Sequence, residues 1–233
     1  MRVLAIDTSS RCGCVGISED GAPLGELALL SKEAYSASLL PSIEWLLSQL
    51  RLTISDIEAF GVTMGPGSFT GLRVGLSTIK GLAWAAKKPV TGLTSLEVLA
   101  HNFLQPGIFL APMLDARKGR VYGAVYRWTD DRLETVVSPR DTEAAQLLRE
   151  RPGPVVCFGD GARKYKNELE QLKSPAIRWI GSEADIPRGL VLARLAHEQL
   201  SQGLTVDIHS VEPIYMRPSE AELGEQRKRE ARV

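Results

Sequence analysis

The sequence predicts a mixed α/β fold of two lobes, each a mixed sheet flanked by helices. Three observations carry that expectation. Three short strands joined by turns open the chain. Helix and strand then alternate. The same order starts again after Gln105-Pro106-Gly107, a turn-forming break. The expected division is a first lobe at 1–106, a smaller second lobe at 107–216 and a charged tail at 217–233.

Each element has a local reason. Residues 2–7 are nearly all apolar and end in an acid, as a buried strand does. Residues 12–18 and 23–30 are two further strands around Glu19-Asp20-Gly21, a hairpin signal. A helix follows at about 37–50, a strand at 59–64, the loop Gly65-Pro66-Gly67-Ser68, and a helix at 70–87. A strand at 89–93 leads into Thr94-Ser95-Leu96-Glu97, which fits a capping box. In the second half, strands are expected at 108–114, 121–128, 132–137 and 154–158, and helices near 141–150, 162–172 and 188–202. The tail lacks aromatic residues and reads as a mobile segment or a loose helix. A strand ending in Asp7, then Thr8-Ser9-Ser10 and a second strand, is how the actin and sugar-kinase group builds its first phosphate loop. The expected fold class is therefore actin-like, ribonuclease H-like (ASKHA).

Composition excludes several functions. Lys plus Arg is 28 and Asp plus Glu is 28, so the chain has no net charge with which to grip nucleic acid or an anionic membrane. No stretch approaches the roughly 18 apolar residues of a membrane span. Three cysteines without a signal-peptide core point to a reducing cytoplasm. Cys12-x-Cys14 reads as two buried small side chains; a metal or redox pair lacks a second ligand cluster. The charge is uneven. Residues 1–110 hold 17 charged side chains and residues 111–233 hold 39, so the first half must bury more of itself, inside or against something else.

Two helices carry a second face. On a helical wheel Leu39, Leu40, Ile43, Leu46, Leu47 and Leu50 form a core stripe, and Trp45 lies on the far side among small residues. An outward tryptophan suits a partner surface, or is covered by a loop. The helix at 70–87 has a core stripe of Leu72, Leu76, Ile79, Ala83 and Ala86 and a separate ridge of Arg73, Lys80, Trp84 and Lys87. That ridge is a solvated face, a protein surface or an RNA-phosphate contact. Gly71, Gly75 and Gly81 each cost the helix up to about 1 kcal/mol, which close approach of another element offsets.

The catalytic motifs fail. The segment 65–71 has no P-loop lysine, has Thr70 where a Rossmann fingerprint needs glycine, and has Pro66 and Thr70 where a nucleophile elbow needs glycines. It remains a rigid turn that delivers Ser68 or Thr70 as a helix N-cap, either able to hold an anion or serving packing alone. His101, His197 and His209 have no ligand spacing, and His197 is expected on the surface. Asp7, with Thr8 and Ser9, is the best candidate for metal or phosphate chemistry, or a structural acid. Gly159-Asp160-Gly161-Ala162 is a nucleotide approach or a simple turn.

Together these residues resemble the TsaB (YeaZ) family of bacterial tRNA-modification proteins. The resemblance rests on Leu4-Ala5-Ile6-Asp7-Thr8-Ser9, Leu39-Leu40-Pro41 and the unbroken run from Gly65 to Gly75. It continues in Ser95-Leu96-Glu97, Asp115-Ala116-Arg117, Tyr122, Gly159-Asp160-Gly161 and Pro213-Ile214-Tyr215-Met216-Arg217. It implies a role in making threonylcarbamoyladenosine beside the tRNA anticodon. It implies a non-catalytic platform that pairs with a TsaD-like transferase subunit through first-lobe helices, is joined by a TsaE-like ATPase, and pairs with itself when alone. On that reading Trp45, Gly65, Gly67, Ser68, Gly71, Arg73, Gly75, Lys80 and Trp84 belong to the partner interface, and tRNA is met only through the complex. The chain itself would need no cofactor, leaving ATP or ADP with magnesium to a subunit interface. Asp7, Thr8, Ser9, Gly159 and Gly161 are what is left of a phosphate site. The transferase's paired-histidine metal motif is absent from the sequence. The family's usual histidine at the start of the first helix is here Tyr35. Gly75→Arg and Trp45→Asp are expected to abolish partner binding with the fold intact. Two other readings compete: an actin-like ATP-dependent phosphotransferase or ATPase using Asp7, Thr8 and Ser9, and a peptidase, for which no nucleophile and base can be named.

Overall fold

In the computed structural model, residues 1–30, 35–130, 132–149, 153–172 and 177–217 are described. Of the tail expected at 217–233, all but Arg217 lies outside them. The first sheet is built from β1 (Arg2–Asp7), β2 (Cys12–Glu19), β3 (Ala22–Leu30), β4 (Ala59–Gly65) and β5 (Val90–Thr94), with helices α1 (Tyr35–Gln49), α2 (Phe69–Ala86) and α3 (Ser95–Ala100). The second comprises β6 (Phe109–Arg117), β7 (Arg120–Thr129), β8 (Arg132–Thr142), β9 (Val155–Phe158) and β10 (Ile177–Trp179), with α4 (Ala144–Arg149), α5 (Asp160–Lys164) and α6 (Lys166–Glu170); α7 (Gly189–Ser201) follows.

The two sheets repeat one topology. Their orders are β3-β2-β1-β4-β5 and β8-β7-β6-β9-β10. In each, the first three strands form antiparallel hairpins and the last two run parallel to the first. This duplicated mixed sheet is the actin-like, ribonuclease H-like fold.

Strand alternation sorts the first core. Leu4 and Ile6 face α1 and α2, where they meet Ile43, Leu47, Leu76 and Ile79. Val3 and Ala5 face the other side, where they meet Leu192, Ala193 and Ala196 of α7. A boundary near 106 puts α7 in the second lobe; the structure lays it on the first sheet instead. The reason is that β1 and β4 are apolar on both sides, so the sheet needs a second covering layer. Short α3 joins the lobes. Its Val98 packs with the α7 layer, while Leu96 and Leu99 pack with Leu110, Tyr126 and Phe158 of the second sheet.

Most expected elements are present, with three differences. The single helix expected at 162–172 is two short ones broken at Tyr165. The strand β8 runs on to Thr142, where a stop near 137 was expected. The three-residue strand β10 has no sequence signal of its own: it is half-exposed and pairs only with β9.

Candidate functional site

The loop between β1 and β2 is fixed by its own side chains. Asp7 is fully buried. The Ser9 amide (2.8 Å) and hydroxyl (2.9 Å) donate to its Oδ1. Burial pushes the Asp7 carboxyl up, against the opposing pull of the Ser9 hydrogen bonds. The Thr8 hydroxyl donates to the Gly71 carbonyl (2.7 Å), and the Ser68 amide donates to the Ser9 carbonyl (2.6 Å). Ser68 is the N-cap of α2, its Oγ accepting from the Gly71 amide (3.2 Å). The start of α2 therefore sits directly on Thr8 and Ser9.

This contact accounts for the glycines. A Cβ at Gly67 would fall on the Ser9 carbonyl, at Gly71 on the Thr8 carbonyl, and at Gly75 on the Thr8 hydroxyl. Gly65, at φ 119°, would place one 2.7 Å from the Ile214 carbonyl oxygen. The close approach these glycines permit is thus made within the chain. Gly75→Arg therefore disturbs the fold, contrary to the expectation that it would leave the fold intact. Gly81 differs: it is exposed, and a Cβ there meets nothing within 4 Å.

The same packing bears on magnesium and phosphate. The Asp7 carboxylate is closed off from solvent and turned onto Ser9, and the Thr8 and Ser9 carbonyls face the start of α2. This arrangement does not fit a metal-bound phosphate on Asp7. In the second lobe, Gly159 (φ 95°) lets β9 turn into α5 against the Met113 carbonyl, and Gly161 packs on the Leu114–Asp115 backbone. Between them Asp160 accepts from the Asp115 amide (3.0 Å). Both glycines serve the join of β6 to α5. Among the described residues no group of three His, Cys, Asp or Glu side chains converges. His197, expected on the surface, is half-buried beside the Asp20-Gly21 turn.

The outer face of the first lobe has a different character. Trp45 on α1 is 52% exposed and Trp84 on α2 is 69% exposed. Leu40, expected in the core, is 48% exposed. Ser42 takes its place inward, with its hydroxyl donating to the Ser38 carbonyl (2.7 Å), so the buried stripe of α1 is narrower than the wheel implied. Arg73, Ser77, Gly81 and Trp84 lie three or four residues apart on the exposed side of α2, with Lys80 half-buried next to them. Neither Arg73 nor Lys80 forms an ion pair among the described residues.

Two contributors were not visible as such in the sequence. Tyr35, at the start of α1, donates its hydroxyl to the Ser10 carbonyl (2.8 Å) and lays its ring over Gly13, tying α1 to the loop after Asp7. Burial raises its phenol well above the ordinary value. Residues 203–217 form a strap. The Val206 amide donates to Val90 on the β5 edge (2.8 Å), and the Ile214 amide donates to Met64 (2.7 Å). Tyr215 then stacks on Phe69 at 4.9 Å. The Pro213-Ile214-Tyr215-Met216-Arg217 motif is that last stretch.

Known proteins share this arrangement. Residues 29–177 match a family model described as TsaD, tRNA N6-adenosine threonylcarbamoyltransferase. The chain is 31% identical to the tRNA threonylcarbamoyladenosine biosynthesis protein TsaB of Bacillus subtilis, covering 95% of this chain and 96% of that protein. It is 28% identical to the protein of the same name from Escherichia coli, covering 93% and 95%. A crystal structure titled as an uncharacterized protein with similarity to peptidase YEAZ, from Pseudomonas aeruginosa, superposes with a TM-score of 0.79 at 24% identity, covering 93% of this chain and 99% of that one. A second structure, titled YeaZ from the same organism, gives 0.77 at 24% identity over 92% and 99%. Both share the fold throughout. With the duplicated sheet, the Gly65-to-Gly75 run seated on Thr8, and likeness along nearly the whole length, the chain belongs to the TsaB (YeaZ) family.

Proposed function

We propose that this chain is a platform subunit, without a catalytic set of its own, in the complex that makes N6-threonylcarbamoyladenosine in tRNA. Its docking face is the outer side of α1 and α2, and the partner there is a TsaD-like transferase subunit. A TsaE-like ATPase joins the pair, a second copy of the chain takes the face when the transferase subunit is absent, and tRNA is contacted through the complex. ATP or ADP with magnesium belongs at a subunit interface rather than on Asp7. The setting is the cytoplasm.

One observation carries this reading. Two tryptophans and a leucine stand exposed on adjacent helices whose other faces already cover the sheet. Large exposed side chains of this kind are the usual centre of a protein interface. The relatives' names supply the pathway.

The test is co-purification with the TsaD-like subunit, followed by a tRNA modification assay with each subunit omitted in turn. Trp45→Asp and Trp84→Asp are expected to abolish both while the variants keep their thermal unfolding midpoint. Normal partner binding by both variants would sink the assignment of this face.

A further inference from the structure

Arg73 is held in a way that an exposed arginine ordinarily is not. Its guanidinium carbon lies 4.0 Å from the Phe69 ring centroid. Its Nε–H donates to the Tyr215 hydroxyl (2.8 Å), and Tyr215 stacks in turn on Phe69. The clamp joins α2 to a residue 142 positions later in the chain. A free arginine loses about 2 kcal/mol of rotamer entropy when it is fixed. Here the chain has already fixed it, and the two terminal nitrogens have no partner among the described residues. What is left is the end of a planar fork, pre-set and exposed, on the docking face.

Charge points the same way. The helix α2 contains no aspartate or glutamate, and α1 has only Glu44. Arg73 and Lys80 on α2, and Lys87 that caps it, therefore stand without an acid of that helix to balance them. Around Arg73 the exposed stripe is uncharged, running through the small Ser77 and Gly81 to the aromatic Trp84. That surface fits a packed protein element better than a flexible polyanion.

Resting on the docking reading above, we infer that Arg73, pre-oriented by Phe69 and Tyr215, is the anchor for a carboxylate of the partner protein. An aspartate or glutamate of the partner sits against the two terminal nitrogens, beside an element that packs on Ser77, Gly81 and Trp84. The chemistry is that of a bidentate arginine–carboxylate pair, where shape matters as well as charge. Tyr215 is a positioning residue: it touches the arginine and not the partner carboxylate.

The test measures binding of the full chain to the TsaD-like subunit by calorimetry, at low and at physiological salt. Arg73→Lys keeps the charge and loses the fork, and is expected to weaken binding about tenfold or more. Tyr215→Phe keeps the stack and loses the hydroxyl, and is expected to weaken it by a smaller factor. Arg132→Lys, an exposed second-lobe control, is expected to leave it unchanged. Exposed carboxylates of the partner are then neutralised one at a time in native and Arg73→Lys backgrounds. One of them is expected to weaken binding in the native background and to have little further effect in Arg73→Lys. Binding by Arg73→Lys within twofold of native, with Trp84→Asp still disruptive, overturns the anchor and leaves the docking face standing. Native binding by Arg73→Lys, Trp84→Asp and Trp45→Asp alike overturns both. A tRNA probe added to the chain alone tests the competing anion: retention that Arg73→Lys abolishes would assign the fork to phosphate and defeat the inference.

Discussion

The two lobes use one sheet topology and dress it differently. The first lobe covers one side of its sheet with α1 and α2, helices of 15 and 18 residues. The second uses α4, α5 and α6, of six, five and five residues. The short helices bury their apolar residues and stop. The long ones bury a full stripe each and still present Trp45, Trp84 and Leu40 to solvent. Charge follows the same split. The second lobe balances Arg120 with Asp141, Arg163 with Asp185 and Lys164 with Asp115. On α2 the cations are left without acids. Covering a sheet needs little helix, so the first lobe carries helix length and exposed aromatic surface beyond that need.

The largest expected effect tests the shared half of this comparison. Phe60 and Phe158 are each fully buried, one on a strand of each sheet. Replacing either by alanine should cost about 3–5 kcal/mol in denaturant unfolding. A loss below about 1 kcal/mol at one of them would mean that the lobes are not equally cored. Next comes the contrast within α2. Gly75→Arg should cost about 1–3 kcal/mol or more, because Thr8 occupies the space. Gly81→Arg should keep or raise the stability in thermal unfolding, by up to about 1 kcal/mol, and yet block partner binding. Equal stabilities for the two would remove the distinction between the inner and outer sides of the helix. Smaller again, Gly81→Ala should gain up to about 1 kcal/mol through helix propensity.

The last prediction concerns slope rather than size. Burial raises the Asp7 carboxyl above its ordinary value of 3.8, so the folded chain favours the protonated form. The folded state then binds more protons than the unfolded one, and stability falls as pH rises from that ordinary value through the raised one. Asp7→Asn can still accept from Ser9 through its amide oxygen. It should flatten the fall of the unfolding midpoint as pH rises above about 4 without lowering it at pH 7. A midpoint that drops at every pH would show that the charged carboxylate itself holds the loop.

The sequence made the sheets legible because their strands are apolar runs bounded by turn residues, and it made the outward tryptophans legible because α1 and α2 have a clean helical period. Three things were hidden. Gly71 and Gly75 announce close approach, but a glycine does not say what approaches it; the answer, Thr8, is more than 60 residues away. Leu40 reads as core because a wheel cannot tell that Ser42 is satisfied by its own helix and can be buried. Tyr215 and α7 reach back to the first lobe over more than 100 residues, and no local pattern encodes such a return. The sequence offers Ser68 or Thr70 as the cap of α2, and the structure gives Ser68.

The reach of the strap has a consequence for the order in which the outer face of α2 is made. Phe69 and Arg73 leave the ribosome early, but Tyr215 is synthesised 142 residues after Arg73. At roughly 5–20 residues per second, Arg73 waits about 7–28 s for Tyr215. The inner layer of the first sheet waits almost as long for α7. A nascent chain thus carries α2 without a finished face, and that face is completed only when nearly the whole chain has been made.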